Sequence, residues 1–449
     1  MKSSKIIIIW LPIVGMFVSC EQFLQIRPDK KLTIPTTTSD LLGLMQDVQT
    51  MNYAYAGGLA VVGADVVYLP YENWAGITSV EDRGAYIWEK QPVNALYWSA
   101  GYERILNCNT VIDYLDDVIE DPHITKQTLK GIALFYRGFT FFDLVQVFSP
   151  SYDVRTADND LGIVLRLNSD VNIKSKRATV AQTYKQLIND LKTAIPLLPL
   201  KAQFPTTPTR AAGYAALARI FLAIEDYSNA YLYADSCLQL YNVLLDYAEI
   251  EARPYPFDRF NEEVVFYSQL SGYRVLPESM ARVDTILYQS YDQSDLRKTL
   301  FFNLNNDGYF SFVGNYSQHS TASKFNGLTT AEVYLIRAES AARAGSIQSA
   351  LADLNFFRAH RYAPDSNIPE TADADQIINL VLTERHKEFL HRGLRWQDIR
   401  RLANDIERSV SLKRMFNGEL YSLNPAQIKR FAYFIPQEVV ERSGIEQND

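Results

Sequence analysis

Few side chains in this sequence are spaced to make or break bonds. The five histidines are His123, His319, His360, His386 and His391, and no HExxH pair occurs. His386 and His391 are five apart, about 140° around a helix. That is too far round to share a metal, and the spacing predicts that both decorate a solvated helix surface. No glycine-rich phosphate loop, GxSxG elbow or CxxC is present. The carboxylates Asp116-Asp117, Glu262-Glu263 and Glu249/Glu251 read as surface or turn charge. The expectation is a protein that is not an enzyme, with no catalytic residue, metal or cofactor. The other chemistry on offer is aromatic: 5 Trp, 28 Tyr and 23 Phe. Tyrosine serves a core or a binding surface equally well, so each ring's role depends on the element that carries it.

The first element is a targeting segment. Lys2 and Lys5 precede an apolar run from Ile6 to Val18, interrupted by Pro12 and Gly15. It is shorter than the roughly 20 residues a span needs and fits a secretory signal. Cys20, after Phe17-Val18-Ser19, resembles the lipobox of bacterial lipoproteins, with Phe17 where Leu is usual. The resemblance implies removal of residues 1–19 and lipid attachment at Cys20, with more than one acyl chain for stable anchoring. Glu21 resembles a sorting signal for export rather than inner-membrane retention. No later run is long enough to span a bilayer. Without Lys2 and Lys5, the 44 basic residues fall to 42 against 52 acidic ones, a net charge near −10. Such a body neither adsorbs to anionic lipid nor tracks a nucleic-acid backbone. Three cysteines exclude a disulfide scaffold. Cys108 and Cys237 lie in helical patterns and read as small buried apolar groups, a disulfide between them being the alternative.

Residues 20–39, with Pro28, Pro35 and Thr36-Thr37-Thr38-Ser39, read as a lipidated tether. Residues 40–449 read as a single interlocked domain, mainly α-helical with irregular regions and short strands. Helical periodicity is expected in pairs over 128–198, 209–240 and 330–358, and in a C-terminal helix over 376–402. Thr179 caps one helix, and Ser149-Pro150 stops another. The pairs 209–240 and 330–358 superimpose without gaps: Ala218 matches Ala338, Leu222 matches Ala342, Tyr227 matches Ile347 and Ala230 matches Ala350. This is a tetratricopeptide-type register, with alanines where two helices touch. Between the helices lie two irregular aromatic regions, 53–97 and 247–329, expected to be loops and short strands.

Glu332-Val-Tyr-Leu-Ile-Arg-Ala-Glu339, Ala342-Arg-Ala-Gly345 and Leu354-Asn355 followed by Arg358 resemble the SusD/RagB family of outer-membrane nutrient-binding lipoproteins. So do Leu382-Thr-Glu-Arg-His-Lys-Glu-Phe-Leu-His-Arg-Gly-Leu-Arg-Trp-Gln-Asp-Ile-Arg-Arg401, Phe434-Ile-Pro-Gln-Glu438, Tyr136-Arg-Gly-Phe139 and Thr209-Arg210 through Leu222. His386 and His391 stand where the family usually has Arg and Glu, and Ser149 where it has Gly. The residues themselves suggest structural work: Arg395, Arg400, Glu384 and Asp398 for charge pairs, Trp396 to fill a gap between helices, and Gly393 where a helix yields to a turn. The resemblance implies a tetratricopeptide scaffold and a protein partner, a SusC-like TonB-dependent transporter. It implies a cell-surface protein that binds an oligosaccharide or polysaccharide and delivers it to that transporter. The alternatives are a peptide-binding, RagB-like uptake protein and a lipid-anchored hydrolase.

The resemblance also implies that ligand contacts the irregular regions. There, ring faces stack on sugars, each contributing roughly 1–2 kcal/mol at about 25 cal/mol per Å². The candidates are Tyr71, Asn73 and Trp74 in the first region, and Tyr267, Tyr273, Arg274, Tyr309, Phe312 and Tyr316 in the second. Trp88 and Trp98 are assigned to structure.

Overall fold

Threonine and aspartate side chains open most of the long helices by accepting the free amide hydrogens of the first turn. The computed structural model describes residues 35–319, 323–364 and 371–449. Its long helices are α1 (Leu96–Tyr114), α2 (Lys126–Phe148), α3 (Val180–Ala194), α4 (Arg210–Ala223), α5 (Tyr227–Leu240), α6 (Thr330–Arg343), α7 (Ile347–Ala359) and α8 (Ala374–Glu388). Thr125, Thr179, Thr209, Asp226, Thr329 and Asp373 cap α2 to α6 and α8, with full capping boxes at Thr179 and Asp373. Neighbours in sequence pack together: α1 on α2, α2 on α3, α4 on α5 and α6 on α7, while α5 also meets α6. Helix α2 is long and apolar enough to cross a membrane but is almost wholly buried in the core.

The repeat foreseen between α4–α5 and α6–α7 is present. Ala218, Ala338, Ala230 and Ala350 are all fully buried. Small side chains there let the helix backbones approach. Even the turns correspond: Gly345 (φ +78°) and Glu225 (φ +60°) hold equivalent left-handed positions. Glycine adopts that conformation at no steric cost, whereas glutamate is strained there. Cys108 and Cys237 are buried free thiols, not a disulfide.

Four expectations need correction. The C-terminal helix is not continuous from 376 to 402. It breaks after Glu388 and resumes as α9 (Leu394–Arg401), through His391 (φ +57°) and Gly393 (φ +79°). A side chain at Gly393 would also press on the Gly57 carbonyl, its Cβ only 3.2 Å from the oxygen. The break folds His391 into the core and leaves His386 mostly enclosed, so neither decorates a solvated face. Burial pushes the His386 imidazole down to about 4, aided by Arg395, and that of His391 to about 3, aided by Lys324. Glu263 is fully buried rather than a turn charge. Finally, region 53–97 contains short helices at Gly58–Gly63, Tyr71–Ala75 and Val80–Tyr86, and Val67–Tyr68 is its strand.

Glu263 belongs to an ionic cluster that locks the second irregular region to the scaffold. Arg297 lies 2.8 Å from Asp295, 2.6 Å from Glu384 and 3.2 Å from Glu388, all buried. Arg361 lies 2.5 Å from Glu263 and 3.0 Å from Glu388. Tyr316 donates to Glu263 (2.9 Å) and Tyr247 to Glu388 (3.0 Å). Burial alone would raise the Glu388 carboxyl, but Arg361 and Arg297 outweigh it and hold the group below its ordinary value. The signature charges pair differently from one another: Arg395 with Asp65 (2.7 Å), and Asp398 with Arg385 and Arg401 (both 2.9 Å). Arg400 donates to the Ser149 carbonyl (2.5 Å). Trp396 is buried beside Phe431 and Tyr433.

A late hairpin, Leu412–Phe416 paired with Glu419–Leu423, has no counterpart among the expected elements. Asn417 (φ +48°) and Gly418 (φ +80°) form its turn. Two successive left-handed residues match the right-handed twist of the strands.

Candidate ligand-binding site

Rings from four separated stretches meet at the surface around this hairpin. The short helix Tyr71–Ala75 presents Tyr71, 38% exposed, and the half-buried Trp74. The indole stacks on Phe416 at 4.9 Å and 14°, and its N–H donates to the Arg83 carbonyl (3.1 Å). Tyr71 lies 6.1 Å from both Trp74 and Phe416. One face of the indole is therefore taken by the hairpin, and its edge is fixed by a hydrogen bond.

Beside this arc lies a cavity of about 190 Å³, walled by Tyr68, Tyr86, Trp88, Phe416, Arg414 and Asp284 among others. Tyr309, 36% exposed, rests 5.4 Å from Tyr68. The floor is rigid. The buried Arg414 guanidinium sits 3.5 Å over the Tyr86 ring and donates to the Val62 (2.7 Å) and Ala64 (2.8 Å) carbonyls. At the rim, burial would raise the Asp65 carboxyl, but Arg395 overrides it and holds the group at about 2. The site thus combines apolar ring faces with fixed charges and hydroxyls. Among the described residues no cluster of His, Cys, Asp and Glu is placed to hold a metal.

The expected residues divide. Tyr71, Trp74 and Tyr309 belong to this surface. Asn73 spends its amide hydrogens on the Met280 carbonyl (3.0 Å) and the Ser279 carbonyl (3.4 Å), so it ties the helix to the next loop. Arg274 is exposed but leans toward Asp82 at 3.9 Å. Tyr267, Tyr273, Phe312 and Tyr316 are buried and present no face to solvent. Tyr267 packs against Phe260 and Phe325, Tyr273 stacks on Tyr97, Phe312 meets Phe301 and His391, and Tyr316 is held by Glu263. Irregular backbone here encloses an aromatic core of its own, so a proline- and glycine-rich setting did not guarantee exposure. Tyr68, Phe416, Asp284 and Tyr421, whose ring lies 6.4 Å from that of Phe416, are not among the expected residues. The Asn417-Gly418 pair between alternating apolar residues was the available signal for the hairpin that carries two of them.

Residues 22–222 match the family described as "Starch-binding associating with outer membrane", and residues 292–440 match the SusD family. A SusD superfamily protein from Bacteroides thetaiotaomicron is 20% identical with a TM-score of 0.74, over 92% of this chain and 98% of that one. A putative sugar binding protein from Bacteroides vulgatus is also 20% identical, TM-score 0.74, over 93% and 99%. Surface glycan-binding protein A from Bacteroides uniformis is 18% identical, TM-score 0.71, over 92% and 98%. These likenesses establish a shared fold. No curated protein matches the chain significantly.

Proposed function

The chain belongs to the SusD family, and from that premise we propose that it binds a glycan at the outer-membrane surface through the Tyr71–Trp74–Phe416 arc and the adjoining cavity. The observation that carries this reading is the arc itself. Three rings lie within 4.9–6.1 Å of one another: Tyr71 is exposed, Trp74 is half-buried with its N–H on the Arg83 carbonyl, and Phe416 is buried beneath them. The exposed parts of Tyr71 and Trp74 on this fixed support match the flat apolar face of a pyranose, and the support limits the ordering cost of binding. Two structural relatives, a putative sugar binding protein and a surface glycan-binding protein, support the same ligand class.

In this reading the mature protein is held by acyl chains on Cys20, which lies outside the described residues, and faces the cell exterior. It hands its ligand to a SusC-like TonB-dependent transporter and performs no chemistry on it. The test is a fluorescence titration of the acyl-free protein with a glycan panel and a peptide pool. A glycan that quenches or shifts tryptophan emission, with affinity lost in Trp74→Ala at unchanged melting temperature, supports the assignment. Unchanged affinity in that variant removes the site. Binding of peptides alone replaces the ligand class, and release of shorter products from the glycan replaces the non-enzymatic reading.

A further inference from the structure

Where α2 and α4 pass the break between α8 and α9, the packing leaves a cavity of about 20 Å³. Asp143 and Gln146 of α2, Arg219 of α4, Asn326, Arg392 and Gln397 line it. A water molecule needs roughly 10–15 Å³ of such space and two to four polar partners, so the cavity has room for one. We propose that it binds a single water bridging Asp143 to Arg392 and Asn326, and that the bridged carboxylate is a latch fixing the helix Gly58–Gly63 beneath the candidate ligand site. The proposal holds whatever ligand that site takes.

The polar groups around the cavity are incompletely satisfied. Asp143 accepts the Ala56 N–H at Oδ2 (2.6 Å) and the Gly57 N–H at Oδ1 (3.1 Å). Each carboxylate oxygen has a lone pair left for another donor. Among the described residues Asp143 forms no ion pair, and Arg104 and Arg219 act on it only at longer range. Arg219 is spent on Glu332 (2.5 Å) and the Gly327 carbonyl (2.7 Å). Arg392 donates Nη1 to the Thr329 hydroxyl (3.1 Å) and lies over the Tyr316 ring. Among the described residues its Nε and Nη2 and the Asn326 Nδ2 make no hydrogen bond. These atoms are not sealed in the packing as Arg385 Nη1 and Trp396 Nε1 are, so a water in the cavity can reach them.

The lining asks for a molecule that both donates and accepts. A cation would face Arg219 and Arg392, and an anion would face Asp143. Water donates to the carboxylate and accepts from the guanidinium or the amide, at little cost beyond its own immobilisation. The carboxylate it completes holds one end of a six-residue helix through the Ala56 and Gly57 amides. At the other end the Gly63 carbonyl accepts the Trp88 indole N–H (3.0 Å), and the Val62 and Ala64 carbonyls accept Arg414. Trp88, Ala64 and Arg414 all wall the ring-lined cavity, so the latch and the floor of that cavity are joined by one short, rigid element.

Two measurements on the acyl-free protein test this. A crystal structure fine enough to show ordered water should place one density peak within about 3.2 Å of Asp143 and of Arg392 or Asn326. A cavity without a peak overturns the water site, and so does a peak that bromide replaces in a soaked crystal, which marks an anion. Amide hydrogen exchange tests the latch. In the wild type the Ala56 and Gly57 amides should be protected, and exchange as fast as that of free amides overturns the latch without recourse to a variant. Asp143→Asn keeps the shape of the side chain but removes its charge and one acceptor. Exchange at these two amides should rise about tenfold in it, while the melting temperature and the exchange of α5 amides stay near those of the wild type. Unchanged protection overturns the latch, and acceleration spread evenly over the whole chain reduces Asp143 to a general contributor to stability and overturns it too.

Discussion

At the scale of single residues, the proposed site rests on Phe416 as much as on Trp74. The indole is held by a ring stack on one side and a hydrogen bond at its edge. Removing the stack leaves it free to rotate into the space of the lost ring. Phe416→Ala should therefore weaken glycan binding about as much as Trp74→Ala, roughly tenfold for 1–2 kcal/mol of buried apolar surface. Calorimetry on both variants checks this, and near-native affinity in Phe416→Ala would dissociate the hairpin from the site. The histidines make a second residue-scale prediction. His386 and His391 are neutral in the fold down to about pH 4 and 3, but take up protons near 6.5 once unfolded. Below 6.5 the unfolded chain binds more protons, so their contribution to stability is lost as the pH falls toward those folded values. Asp143, raised by burial to about 6 from an ordinary 3.8, works in the opposite sense between those limits. His391→Asn keeps a residue tolerant of positive φ and cannot titrate. Its melting temperature should fall less between pH 6.5 and 4 than that of the wild type. The partial exposure of Trp74 was legible because turn residues flank it. Tyr267 and Tyr316 were not distinguishable from it, because their burial comes from packing partners far away in sequence.

At the scale of elements, the ionic cluster and the hairpin do different work. Arg297 and Arg361 tie strands and loops of region 247–329 to α7 and α8 through Glu384 and Glu388. Truncating one member leaves its partners charged and buried. Arg297→Ala should cost about 3–5 kcal/mol, measurable as a lowered urea midpoint, while replacing the whole cluster with apolar residues need not. A drop below about 1 kcal/mol would show the cluster to be dispensable. The long helices were readable from capping threonines, apolar periodicity and the Ala218/Ala338 register, since those signals are local. The break between α8 and α9 was legible only at Gly393, read as the point where a helix yields to a turn. Apolar and charged residues continue at helical spacing through 389–393, and what bends the chain there is the packing of Gly393 against Gly57. The hairpin was hidden for another reason: its apolar alternation spans only five residues a strand.

At the scale of the whole molecule, the apolar core draws on residues from Leu41 to Ile445, so it gathers both ends of the described chain around α2. Residues 22–222 and 292–440, the two family matches, flank the stretch that forms much of the aromatic loop region. The matched parts carry Tyr68, Tyr71, Trp74, Tyr309 and the hairpin, while the interval between them carries α5 and Asp284. Anchoring is a whole-molecule property as well. Cys20→Ala should move the protein from the membrane fraction to the soluble fraction without changing its melting temperature, since α1–α9 all lie beyond residue 40. Retention of that variant in the membrane fraction would refute a lipid anchor.

The hairpin's two ends, Leu412 and Leu423, are paired and buried, while Met415 and Leu420 between them stand opposite each other and exposed. Its tip is thus a cassette clamped at the base. Substitutions at those exposed positions carry little penalty to folding, whereas Arg414 and Phe416 on the same strand are buried and held by the body of the protein. Exchanging the exposed residues of the tip, Lys413, Met415 and Leu420 among them, tests whether they set ligand preference while the buried pair keeps the hairpin in place.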